Sequence, residues 1–173
     1  MSRLAFMTFS VFAKPSSDYS HTTFMELARD VVKQMEGADG FISRSILIDG
    51  TLYHHPLEQD RSAWGDPANP TFTGERAIAS LPTVLTLSLW NSIDSVKHFS
   101  YSHQHKTALL RRKEWFLPPR WPTYAMWWIP HNFTPTFEDA SRRMEHLHAH
   151  GPSTVAFDFK TAFFADGTTC RPS

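Results

Sequence analysis

Apolar positions along this chain recur with two different periods, and the switches between them outline a fold. Residues 4–13 follow a two-residue repeat, with Ala5, Met7, Phe9 and Val11 on one side and Leu4, Phe6, Thr8 and Ser10 on the other. Apolar residues on both sides predict a strand buried on both faces. A turn over residues 14–20 leads to Thr23-x-x-Glu26, a capping box, and Phe24, Leu27, Ala28, Val31, Val32 and Met35 then keep helical spacing. Gly37 ends that helix, in the left-handed position glycine favours. A second strand is predicted over 41–48, between Gly40 and Asp49-Gly50, with Arg44 on it either solvated or facing a pocket.

Periodicity dissolves over residues 50–82, where prolines, glycines and polar residues predict a long irregular loop or lid carrying His54, His55 and Trp64. It returns at 83–90 as a third strand: Leu85, Leu87 and Leu89 point one way, and Val84, Thr86, Ser88 and Trp90 the other. The leucine face should meet helices, and the mixed face resembles the wall of a cavity for something partly polar. Asn91 or Ser92 caps the next helix, with Asp94 in its first turn. Its stripe starts with Ile93, Val96 and Phe99 and pauses near residues 101–103. It resumes with His105, Ala108, Leu109, Arg112, Trp115 and Phe116 on one helical face. Pro118, Pro119 and Pro122 end it. A fourth strand over 123–130 puts Tyr124, Met126 and Trp128 on one face. Thr136-x-x-Asp139 then starts a helix with Phe137, Ala140, Met144 and Leu147 inward, followed by a tail over 151–173. Within that tail, residues 155–164 read as a short strand or an extended segment that could pack on a partner subunit.

The order strand, helix, strand, strand, helix, strand is ferredoxin-like: a βαββαβ antiparallel sheet in an α+β protein, here with an extra C-terminal helix and tail. Its helices cover one face, and the other face needs a cover. Two sheets curving together into a dimeric α+β barrel would supply it, so a homodimer is expected, with a cavity between sheet and helices.

Composition narrows the function classes. The 173 residues make one domain. Lys+Arg and Asp+Glu both number 17, and no basic run exists to neutralise phosphates, so nucleic acid is not the expected partner. No apolar window reaches a membrane span. A single cysteine, Cys170, cannot form an internal disulfide and fits a cytoplasmic setting. The chain is rich in rings, with 14 Phe, 6 Trp and 10 His, which serve a core or a cavity wall equally well.

The segments SLWNSIDSVKHFSYSHQHKTALLRRKEWF, MWWIP, PTFEDASRRMEHLHAHGPS and AFDF resemble the family called domain of unknown function 3291, within the dimeric α+β barrel superfamily. The resemblance covers the C-terminal half and makes Tyr101, His105, Arg111, Arg112, Trp115, Trp127 and Trp128 family-typical. His103 stands where the family pattern has a small polar residue. Cofactor-free monooxygenases, isomerases, haem-binding oxygenases and polyketide-tailoring enzymes belong to the superfamily, so the resemblance implies the fold more firmly than a reaction.

Chemistry concentrates at Tyr101, His103 and His105. An imidazole exchanges protons near neutrality and a phenol can polarise an oxygen. In the alternative reading, Tyr101 packs and His105 bonds a backbone carbonyl at a helix junction. Arg112, among apolar positions, should meet a ligand anion, an internal carboxylate or water. Trp90, Trp115 and Trp128, with Ser88, Thr86 and Met126, would shape the substrate wall. Metal ligation is not expected: in His146-x-His148-x-His150 residues two apart point in opposite directions on a helix, and His103-x-His105, which could ligate if extended, has no carboxylate or third His close in sequence. Haem is the alternative cofactor, with one His under an apolar pocket and an Arg for a propionate. No nucleophile stands in a G-x-S-x-G setting. The expected function is cofactor-independent acid–base catalysis in secondary metabolism: isomerase, cyclase, dehydratase or monooxygenase chemistry on a hydrophobic aromatic, polyketide-like or terpenoid-like compound. A barrel that only binds such a ligand is the non-catalytic alternative.

Overall fold

The structure, a computed structural model, describes residues 1–45, 48–49, 61–72 and 81–170. Its elements are β1 (Ser2–Val11), α1 (Tyr19–Glu36), β2 (Phe41–Arg44), β3 (Ile48–Asp49), the one-turn helix α2 (Arg61–Trp64), β4 (Thr83–Trp90), α3 (Ile93–Ser100), α4 (His103–Arg111), β5 (Tyr124–Pro130) and α5 (Phe137–His150). The strands pair antiparallel in the order β2-β4-β1-β5, and β3 also pairs with β4. Ser45 N donates to Leu87 O at 2.8 Å, so the predicted strand over 41–48 is one interrupted edge strand. Counted that way, the order is ferredoxin-like, as the sequence predicts.

Local signals are mostly honoured. Ser92 caps α3 by accepting from Ser95 N, and Thr136 caps α5 by accepting from Asp139 N. Two details differ. The N-cap of α1 is Asp18, whose carboxylate accepts from Ser20 N at 2.9 Å, so the helix starts a turn before the Thr23 capping box. Thr23 lies inside the helix, and its hydroxyl donates to Ser20 O and accepts from Trp115 Nε1. Gly37 does end α1, but at φ −93, outside the left-handed region.

Strand alternation builds three layers. One sheet face carries Leu4, Phe6, Trp90 and Met126 and is buried by Met35 of α1 and by Val96 and Phe99 of α3. The other carries Ala5, Met7, Phe9, Leu85, Leu87, Leu89 and Trp127, and is buried by Phe137, Ala140, Met144 and Leu147 of α5. The leucines therefore do meet a helix, and the mixed face meets two. The uncovered face that called for a second copy is closed within this chain: Met7, Ala5 and Met144 are all 0% exposed.

Trp64 and Phe72 join that same α5-side core, and Thr71 N donates to Glu145 of α5 at 2.6 Å. The described part of the expected 50–82 lid thus lies on the face opposite the Tyr101–Trp115 region; His54 and His55 lie outside the described residues. The tail packs on its own chain. Phe157 and Met126 exchange backbone hydrogen bonds of 2.9 Å along the free edge of β5, and Ala156, Phe157 and Ala162 are buried.

Candidate functional site

Side chains on a central strand beneath helices are normally sealed, and β1 is central here. Yet Thr8 and Ser10 are only half-buried, while Leu4, Phe6 and Phe12 on the same face are buried. Strand register explains the gap. Thr8 pairs with Thr86 on one side and Tyr124 on the other, so three hydroxyl-bearing residues cross the sheet in one row. The Thr8 and Thr86 hydroxyls bond each other at 2.5 Å. Above the row stands the cluster of Leu4, Trp90, Phe99 and Met126; below it stands a second cluster of Phe12, Val84 and Trp115 with Phe24 and Phe116 from α1 and the α4–β5 connection. No side chain of α4 is fully buried, and His105, Ala108 and Leu109 are half-buried. The row is a hydroxyl floor of half-buried residues set between two apolar walls.

At one end of the floor, the Tyr124 phenol accepts a hydrogen bond from Phe159 N at 3.3 Å. Burial is the main reason its pKa is pushed up to about 12, so it stays protonated as a donor. The Phe159 ring, from the tail, lies tilted 5.1 Å from that of Tyr124 and 5.9 Å from that of Tyr101. Tyr101 itself is 55% exposed, at the rim.

Tyr101 also opens the junction between α3 and α4, where His105 sits. The His105 Nδ1 lies 2.8 Å from Ser100 O. A carbonyl only accepts, so Nδ1 carries the proton and Nε2 carries the lone pair in the neutral ring. The ring packs 4.7 Å from Phe99, and burial lowers its pKa below the ordinary histidine value, against the weaker opposing pull of the Ser100 carbonyl.

The other expected residues divide. Thr86 is on the floor. Ser88 is buried, accepts from Trp90 Nε1 at 2.9 Å, and with Thr86, Ser45, Arg44, Met35 and Val32 lines a small cleft. Phe99 and Trp90 stand in ring contact between His105 and Ser88, so this cleft is separate from the histidine. Trp90 and Trp115 are fully buried core; Trp115 Nε1 donates to Thr23, and the Arg111 guanidinium lies 4.9 Å above its ring. Met126 is buried in the upper wall, and half-buried Trp128 donates to Phe163 O at 2.7 Å. Arg44 pairs with Glu36 at 2.7 Å.

Arg112 and His103 do not join the site. The helical face drawn through His105, Arg112 and Trp115 is broken because α4 ends at Arg111 and a 3₁₀ turn, Arg112–Glu114, follows. The turn leaves Arg112 exposed, donating to Leu109 O at 2.6 Å and so satisfying a helix-end carbonyl. His103 is exposed at φ +40, a left-handed conformation costing a non-glycine residue about 1–2 kcal/mol. His103→Gly is therefore expected to be neutral or to stabilise by up to ~1 kcal/mol, whereas glycine elsewhere in a helix costs about that much; a urea melt checks it. Of the residues that the haem alternative draws on, His103 and Arg112 are both exposed, whereas His105 is half-buried. His146 bonds Ser153 at 3.2 Å, and among the described residues no group of three His, Cys, Asp or Glu side chains is arranged to hold a metal. No helix among the described residues is long and apolar enough to cross a membrane.

Sequence reasoning missed Thr8, Tyr124 and Gln34 as site residues. The signal for the first two was present: Thr8, Thr86 and Tyr124 each interrupt an apolar strand face, but only the register aligns them.

The combination of aromatic strand, broken helix, capped α5 and tail is shared with a known family. The model of a family described as a domain of unknown function (DUF3291) matches residues 3–171. The chain belongs to this family. The DUF3291 match extends beyond the C-terminal half in which the resemblance was legible. Among solved structures, a conserved protein from Methanosarcina mazei Go1 is similar at 12% identity and a TM-score of 0.45, over 75% of this chain and 92% of that one. Rv0793 from Mycobacterium tuberculosis is similar at 10% identity and a TM-score of 0.45, over 74% and 93%. No curated protein matches the chain.

Proposed function

We propose that this DUF3291 protein is a small-molecule enzyme that moves a proton without a cofactor, on a hydrophobic, oxygen-bearing compound of aromatic, polyketide-like or terpenoid-like character. The observation that carries the reading is His105: its Nδ1 proton is committed to Ser100 O, and burial keeps the ring neutral, so Nε2 offers a lone pair near pH 7. The hydroxyl floor supplies a place for the substrate, and Tyr124, whose oxygen already accepts from Phe159 N, keeps its own O–H to donate.

In the proposed step, Nε2 takes a proton from carbon next to a carbonyl. The C–H electron pair moves into the new C=C bond, the carbonyl pair moves onto oxygen, and the Tyr124 hydroxyl donates to that oxygen. Return of the proton from the imidazolium to a different carbon completes an isomerisation. From the same enolate, loss of a β-hydroxyl as water, protonated by the imidazolium, gives a dehydration. Attack of the enolate carbon on a second carbonyl of the same molecule, whose oxygen takes the imidazolium proton, gives a cyclisation. An oxygenation needs dioxygen as co-substrate and oxidant. Tyr101, which ends α3 at the junction holding His105, has its ring 5.9 Å from Phe159, and Phe159 in turn lies 5.1 Å from Tyr124.

The test needs no knowledge of the natural substrate. The protein is incubated in D₂O with a panel of neutral aromatic and terpenoid-like ketones, and exchange of carbon-bound hydrogen is followed by mass spectrometry. Exchange above the buffer rate with at least one compound is expected. Saturable binding of panel compounds without any exchange would replace this reading with a ligand-binding barrel.

A further inference from the structure

We propose that Gln34 is a positioning residue for His105, acting from α1 as the cap of two helices at once; the functional meaning of this rests on His105 being the base. The α3–α4 break has an unusual construction. Ser102 occupies the N-cap position of α4, yet its side chain makes no cap bond and donates back to Phe99 O at 3.3 Å. The amide it would have served is His105 N, in the first turn of α4, and that amide donates to Gln34 Oε1 at 3.1 Å. The cap of α4 therefore comes from a residue 71 positions away in sequence.

The other end of the same side chain faces the end of α3. Gln34 Nε2 reaches Ser102 O at 3.2 Å, Ser102 Oγ at 3.1 Å and Phe99 O at 3.5 Å. Two N–H groups share three acceptors, and the orientation is dictated: reversing the amide would set its oxygen against two carbonyls and its NH₂ against the His105 amide. One planar group thus reads a donor on one side and acceptors on the other, which only a carboxamide can do.

The consequence is geometric. The turn from Ser100 to His105 contains His103 at φ +40, a conformation that persists only where surrounding contacts enforce it. Gln34 supplies contacts on both sides of that residue. With the turn held, Ser100 O faces His105 Nδ1 and the ring lies against Phe99. Without it, α4 has no fixed start, and the Nδ1–carbonyl bond that selects the tautomer has no fixed partner.

Two measurements test this on the protein alone, by NMR. First, hydrogen exchange of the wild-type His105 backbone N–H is expected to be at least tenfold slower than that of His103 and Gln104, the first two amides of α4, which no helix satisfies internally. Equal rates would overturn the proposal, and no variant is needed. Second, ¹⁵N spectra of the imidazole in Gln34→Leu are expected to show the Nε2–H form appearing beside the Nδ1–H form, with the titration midpoint moving up toward the ordinary value of about 6.5 as the ring is exposed. A folded Gln34→Leu protein that keeps the wild-type tautomer and midpoint would sink the idea. Both readouts report the state of His105 and not turnover, so they stand or fall separately from the D₂O experiment.

Discussion

Glutamine in place of His105 is expected to slow ketone hydrogen exchange by about 10²–10⁴-fold, the usual contribution of a positioned general base. Gln can still donate to Ser100 O, so the junction keeps its partner while the basic lone pair is lost. The variant should therefore melt close to the wild type and bind panel ketones with similar affinity. Exchange that survives the substitution would move the base elsewhere. The pH dependence gives an independent check. Burial disfavours the imidazolium in the folded protein, so the folded pKa lies below the ordinary histidine value. Exchange should rise with pH through that depressed midpoint and flatten above it. Stability follows the same sign: between the two pKa values the unfolded chain binds more protons, so stability is full above about pH 6.5 and falls as pH drops toward the folded midpoint. His105→Gln should abolish that slope. A slope of opposite sign in the wild type would mean that the ring is stabilised as a cation.

The largest effect on folding is expected from Met144→Asp, at least ~3 kcal/mol. Met144 is 0% exposed in the core where α5 covers the leucine face. The neighbouring Arg143 is already paired with Asp139 at 2.9 Å and bonded to Val155 O, so a new carboxylate would be buried without a cation. For a protein of this size, ~3 kcal/mol lowers the melting temperature by roughly 6–12 °C. Met144→Leu, of similar volume, should cost less than ~1.5 kcal/mol. The comparison bears on assembly as well as stability. The physical motive for a sheet-to-sheet dimer was an uncovered apolar face, and α5 removes it. A Met144→Asp protein with a wild-type melting curve would mean that α5 does not hold that face in solution.

Several site features were readable without coordinates because their signals are local. The pause near residues 101–103, the Ser92 cap and the inner face of α5 each depend on residues within a turn or two of one another. So does the alternation of β4, which separates Thr86 and Ser88 from the leucines. The suggestion that His105 bonds a backbone carbonyl also came from its place at a helix junction, and that bond is present. Local signals failed where two of them competed. Asp18 and Thr23 are both good N-caps, and the choice went to Asp18 because Thr23 is drawn to Ser20 and Trp115. Helical spacing placed Arg112 beside His105, but the chain tightens into a 3₁₀ turn after Arg111 and swings the guanidinium outward.

What the sequence determined by itself was the kind and order of the elements, and so the ferredoxin-like sheet, because side-chain periodicity and capping are properties of neighbouring residues. Tertiary structure alone decided which helix covers which face, that Thr8, Thr86 and Tyr124 form one row, and that Gln34 caps α4. Each of these depends on strand register or on hydrogen bonds between residues tens of positions apart. Register and long-range pairing are settled by the packing of the whole chain, and no local pattern encodes them.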